Sequence, residues 1–131
     1  SAFGRILHEK GYDITVVDLH PKPTEMWVTK EDFLTFETEK RFDVAVAISS
    51  LEHFGLPIYT PYFNPFADVI ATYHIWQLLK PAGRLYLSIP IGRSLTTTEW
   101  RIYSPDDIFS RFCQFFRPIY GVAFSMVGGT A

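Results

Sequence analysis

A chain of 131 residues that is 47% apolar and 17% aromatic has the length of one domain and enough apolar surface to bury a core, which excludes a disordered segment. Its 12 basic and 14 acidic residues are interspersed, so a net charge of −2 provides no basic face for nucleic acid or an anionic membrane surface. Cys113 is the single cysteine, which rules out an internal disulfide and makes the cytoplasm the expected compartment, and no apolar run approaches the ~20 residues that cross a bilayer.

In chain order, Phe3, Ile6 and Leu7 share a helical face that Lys10-Gly11 closes, and the chain opens in the middle or end of this helix. Ser1 in place of Met reads either as ordinary Met removal or as a start inside a longer protein. Residues 13–18 are β-branched and apolar and predict a strand that ends at Asp18 before the breaker Pro21-Lys22-Pro23. Met26-Trp27-Val28 is a weaker strand candidate, leading to Glu31-Asp32-Phe33.

Residues 43–49 form an apolar run without alternation, as a strand covered on both faces reads, and it ends in Ser49-Ser50-Leu51-Glu52-His53. The carboxyl end of such a strand is where an open α/β sheet places its chemistry. A long Pro/Tyr-rich loop follows, in which Tyr59, Tyr62 and Phe63 can either close over a substrate or pack the loop down. Asn64 as N-cap and Pro65 at the first position start a helix, with Phe66, Val69, Ile70, Tyr73 and Trp76 at helical spacing expected to face the sheet. Lys80-Pro81-Ala82-Gly83 turns the chain into a second buried strand at 84–90, completing a parallel strand-helix-strand unit. Ser104-Pro105-Asp106-Asp107 is a capped start for a helix carrying Ile108, Phe109, Phe112 and Phe116, and a last strand is expected between 119 and 127. One α/β domain over 1–131 is the resulting expectation, with a mostly parallel, Rossmann-like sheet flanked by helices.

This order, with a strand ending in Asp18, the Asp32-Phe33 pair, the strand ending in Leu51-Glu52-His53-Phe54-Gly55, and Leu78-Leu79-Lys80-Pro81-Ala82-Gly83 before a strand ending in Pro90, resembles the class I S-adenosylmethionine-dependent methyltransferases. Ser88-Ile89-Pro90-Ile91-Gly92 and Arg101-Ile102-Tyr103 are similar to a little-characterised methyltransferase-like branch, and the resemblance covers most of residues 4–113. The family places a first strand and a glycine-rich turn before the opening helix, and nothing precedes Ser1 here. The expectation is therefore an N-terminally truncated methyltransferase domain in which this chain alone binds cofactor weakly or not at all.

The resemblance implies S-adenosylmethionine in the full-length parent, held by Asp18 through the ribose hydroxyls, by Asp32 and Phe33 at the adenine, and by the strand end Ser49, Ser50 and Leu51. Each has a plainer reading: a solvated strand-end acid, a surface acid beside a core aromatic, a simple strand exit. Methyl transfer rests on positioning and needs a base only when the acceptor is protonated, so His53 is the candidate base and Glu52 its orienter or a substrate contact. The competing reading has Glu52 capping the turn and His53 packing there. Arg101 is a candidate clamp for an anionic small-molecule acceptor, with Tyr59 as a further substrate contact, against a surface ion pair of Arg101 with Asp106 or Asp107. His8, His20, His53 and His74 show no metal-ligand spacing, and Cys113 reads as a buried structural thiol beside Phe109 and Phe112. A cofactor-free, non-catalytic Rossmann-like binding module is the competing class. A nicotinamide-dependent oxidoreductase would also use Asp18 but needs a Gly-x-Gly-x-x-Gly turn that the chain does not contain.

Overall fold

The opening helix α1 (Ala2–Glu9) ends as its Gly predicts. Gly11 takes φ +87°, its N–H donates to the His8 carbonyl and the Tyr12 N–H to that of Leu7, the paired bonds of a Schellman motif. The computed structural model describes residues 2–22 and 25–125, and the chain divides into two compact units, Ser1–Glu39 and Lys40–Ala131.

In the first unit, β1 (Val16–Asp18) pairs in parallel with β2 (Val28–Lys30), Val16 opposite Val28 and Asp18 opposite Lys30. The strand is shorter than the apolar run at 13–18 suggests, because β2 offers only three residues of partner. Asp32 then caps a 3-10 turn at Phe33–Thr35, its Oδ1 accepting the Leu34 N–H at 2.9 Å.

The second unit is built on β3 (Phe42–Ile48) and β4 (Leu79–Ser88), paired in parallel from Val44 opposite Arg84 to Ile48 opposite Ser88. The turn expected at 80–83 sits inside β4 as an irregularity: the register jumps from Phe42 opposite Leu79 to Val44 opposite Arg84, and Ala82 takes φ +62° there. Between the strands runs α2 (Ala67–Leu78), and after them a two-residue antiparallel hairpin, β5 (Leu95–Thr96) with β6 (Arg101–Ile102), leads into α3 (Pro105–Phe112). Ser104 and Asp107 close the expected capping box on α3.

The class is α/β. Among the described residues the strands form three two-stranded sheets rather than one continuous sheet. Residues 119–125 carry no strand, and the end of that expected strand, 126–127, lies outside the described residues.

The larger correction concerns α2. Phe66, Ile70, Tyr73 and Trp76, expected against the sheet, are exposed, and the buried positions are Ala67, Asp68, Ala71, Thr72, Ile75 and Leu78. The reason is the close approach of backbone at Gly55, where an added Cβ would meet the Ala67 Cβ and the Asn64 carbonyl oxygen at 2.5 Å. Only small residues fit that contact, so the helix turns its alanines inward and its aromatics outward. It also starts two residues late: Asn64 Oδ1 accepts the Phe66 N–H at 3.0 Å, capping the preceding turn, and Phe66 occupies the N-cap position.

Candidate active site

At the end of β3 the backbone reverses abruptly. Ser49 takes φ +44°, a left-handed conformation that costs a non-glycine residue of order 1 kcal/mol and tends to persist at functional sites. Ser50 follows at the N-cap of a 3-10 turn at Leu51–His53, with no side-chain cap bond. Leu51 and Glu52 are both buried, whereas the His53 side chain keeps about a third of its surface, 31%, in contact with solvent.

The His53 ring is fixed by the hairpin. In the turn at 97–100, Thr97 Oγ1 accepts the Glu99 and Trp100 N–H groups and the Thr97 N–H donates to the Trp100 carbonyl, which points the Glu99 carbonyl at His53 Nδ1, 2.6 Å away. A carbonyl oxygen only accepts, so Nδ1 carries the hydrogen and the neutral ring presents Nε2 as a bare lone pair. Nε2 lies 3.8 Å from Glu52 Oε1. The other carboxylate oxygen, Oε2, is buried without any hydrogen-bond partner. Glu52 therefore does not cap its turn. Tyr59 lies beside the His53 ring, centroids 5.2 Å apart and tilted by 59°, so the expected substrate contact stands next to the expected base.

Arg101 has a different place from the one expected. Its side chain is 3% exposed, and its Nη1 donates to the carbonyls of Phe54 (2.6 Å) and Glu52 (3.4 Å) while Nη2 donates to that of Asn64 (3.1 Å). A guanidinium spent on three main-chain acceptors in the interior has no fork left for an acceptor molecule, so the clamp reading is corrected: Arg101 staples both ends of the 52–64 loop. The competing surface pair with Asp106 or Asp107 is also not formed; its carboxylate neighbour is Asp68, with Nε 4.0 Å from Oδ2.

Asp68 was not singled out by sequence and is the centre of the buried polar cluster. Tyr103 Oη donates to its Oδ2 at 2.9 Å and Arg111 Nη1 to its Oδ1 at 2.8 Å, while Arg111 also holds the Pro65 carbonyl at 3.0 Å. Burial, and then the Asp68 charge and hydrogen bond, push the Tyr103 hydroxyl well above its ordinary pKa, keeping it a proton donor. The available signal was Asp68 and Thr72 at i, i+4 in line with Ala71 and Ile75, a stripe of mixed polarity that hydrophobic periodicity passes over.

The residues expected at a cofactor divide between the units. In the first, Asp18 is exposed at the end of β1, with Oδ1 accepting the His20 N–H at 2.9 Å, and Phe33 is half-buried, 6.4 Å from Phe36. Asp32 has one oxygen committed to its cap. In the second, Ser49 and Ser50 stand at the strand end, while the Leu51 side chain goes into the core and leaves only main chain to face a ligand. Asp18 keeps one carboxylate oxygen uncommitted, which gives it the chemistry to accept a hydroxyl hydrogen bond. Among the described residues no group of three His, Cys, Asp or Glu side chains is placed to hold a metal ion, and no helix is long and apolar enough to cross a membrane. Cys113 is a half-buried free thiol at the C-cap of α3, with Phe112 buried and Phe109 exposed.

No curated protein and no solved structure matches the chain. The family described as "Caenorhabditis protein of unknown function, DUF268" matches residues 23–114, a stretch that includes β3, the Glu52 and His53 turn, Arg101 and the Asp68 cluster, and the chain belongs to that family.

Proposed function

We propose that the protein is an S-adenosylmethionine-dependent methyltransferase of Rossmann-like build, acting on a small-molecule acceptor, with His53 as the base and Glu52 as its counter-charge. The observation that carries this reading is the Glu99 carbonyl at 2.6 Å from His53 Nδ1, which sets the tautomer so that a neutral ring turns its Nε2 lone pair outward at the carboxyl end of a parallel strand. S-adenosylmethionine, when bound, supplies an electrophilic sulfonium methyl. In the second unit, Ser49, Ser50 and the Leu51 main chain would lie against it.

The chain's own contribution is proton handling and orientation. Nε2 accepts the proton of the acceptor, and the imidazolium so formed has Glu52 Oε1 at 3.8 Å. At that distance opposite charges near a protein surface attract by roughly 4 kcal/mol before desolvation is counted. Arg101 keeps the main chain of Glu52 and Phe54 in place through its two Nη1 bonds, which makes it a positioning residue. Methyl-transfer assays of the full-length protein with labelled S-adenosylmethionine and a panel of small amines, alcohols and carboxylates test the reading. With an active acceptor, His53→Ala lowers turnover by roughly 10²–10⁴-fold and leaves cofactor affinity unchanged. Near-parental turnover in that variant removes His53 from the chemistry.

A further inference from the structure

We infer that the acceptor site beside His53 takes an organic cation bearing N–H donors, a primary or secondary ammonium group. The inference starts from the site of the proposed function and rests on that reading for what becomes of the ligand afterwards, but binding itself needs no cofactor.

Three observations converge on this chemistry. Glu52 carries a buried carboxylate whose Oε2 has no hydrogen-bond partner, and among the described residues no Lys or Arg lies within ion-pair distance of it. An ionised carboxylate buried without donors costs several kcal/mol, so a ligand that brings N–H groups is favoured beside it. Second, the group nearest the carboxylate, His53 Nε2, is itself a lone pair in the neutral ring, because Nδ1 is committed to the Glu99 carbonyl. With the ring neutral, the carboxylate and Nε2 are two acceptors 3.8 Å apart, which a ligand that brings N–H bonds satisfies. An anion or an ether oxygen would add a third acceptor. Third, Tyr59 stands at 5.2 Å from the His53 ring and is 44% exposed, which puts an accessible aromatic ring, attractive to a cation, beside the pair.

The charge sign decides between classes. A neutral alcohol satisfies one lone pair and leaves the carboxylate uncompensated; a carboxylate or phosphate is repelled; an ammonium answers the charge, both lone pairs and the aromatic face. After binding, loss of one proton from the ammonium to Nε2 gives the neutral amine and the imidazolium, with the positive charge retained beside Glu52.

The test reads the side-chain resonances of His53 and Tyr59 by NMR during titration of the intact chain with n-butylammonium, n-butanol and tetramethylammonium, without cofactor. The expected result is saturable shifts of both residues with n-butylammonium, an apparent affinity at least about tenfold weaker for the other two probes, and loss of the n-butylammonium response in Glu52→Gln. Tyr59→Leu, a change at an exposed position, serves as the second variant and weakens n-butylammonium severalfold. No saturable shift with n-butylammonium, equal response to n-butanol or to tetramethylammonium, or an undiminished response in a folded Glu52→Gln overturns the inference. The two readings fail separately: methylation of an alcohol or carboxylate with no ammonium binding sinks this one alone, and ammonium binding without transfer from S-adenosylmethionine to any acceptor of the panel sinks the other.

Discussion

A single carboxylate, Asp68, carries more of the second unit than its place in the first turn of α2 suggests. It is fully buried and collects Tyr103, Arg111 and, at longer range, Arg101. Removing one partner of such a cluster leaves uncompensated charge inside, which typically costs about 3–5 kcal/mol. We expect Asp68→Ala to lower unfolding free energy by that amount in urea titrations, and Tyr103→Phe, which deletes one donor and retains the ring packed on Phe112, to cost only about 1–2 kcal/mol. A loss below 1 kcal/mol in Asp68→Ala would show that the cluster is solvated in solution. None of this is legible in the chain, where an acid in the first turn of a helix reads as a solvated group favoured by the helix dipole. Glu52 and His53, by contrast, announce themselves because they follow an unbroken apolar run, and position alone marks them out.

At the level of elements, α3 and α2 show where sequence reading succeeds and where it cannot. The start of α3 is written in four adjacent residues, and both bonds of the Ser104 and Asp107 box form. Hydrogen bonds from the Ser104 amide, the Ser94 hydroxyl and the Ser104 hydroxyl hold the Asp107 carboxyl below its usual range. A depressed carboxyl contributes stability that is present above its ordinary pKa of 3.8 and is lost as pH falls through the folded value, so the contribution fades below about pH 4. Asp107→Asn should therefore flatten the acid side of a melting-temperature profile between pH 2.5 and 6 and cost about 1 kcal/mol at neutral pH, read by circular dichroism. A parallel profile in the variant would assign the acid sensitivity elsewhere. The phase of α2, on the other hand, is decided by a tertiary contact, Gly55 against Ala67, and no pattern within the helix reports it. Ile70→Gln on the exposed face is expected to stay within about 0.5 kcal/mol of the parent, while Ala71→Leu overpacks a fully buried site and costs about 1–3 kcal/mol. The reverse order of the two would restore the periodicity-based face.

For the molecule as a whole, the parallel ribbon of β3 and β4 is covered unevenly. Ala47 is buried on one side, whereas Val44, Val46, Ile48 and Tyr86 stand exposed on the other. Parallel strands rarely leave a face to water, and the apolar run at 43–49 reads as covered on both sides for that reason. An apolar strip of this kind is a self-association liability. Val46→Lys, with its side chain already 41% exposed, is expected to leave the unfolding midpoint nearly unchanged and to suppress concentration-dependent light scattering of the isolated chain. Scattering equal to the parent's would mean that the face is not what drives association.

The Glu99 carbonyl has a bearing on how this site can drift and how it can be probed. Because the proton position on His53 is dictated by main chain rather than by a side chain, position 99 is free to hold any residue that the turn at 97–100 admits, and alanine scanning passes over it in silence. The instruction is stored in the peptide group itself. It becomes visible only to an edit of that group: an ester in place of the amide between Glu99 and Trp100 weakens the acceptor and removes the Trp100 N–H bond to Thr97 Oγ1 without altering a side chain, and lets the imidazole choose its tautomer afresh.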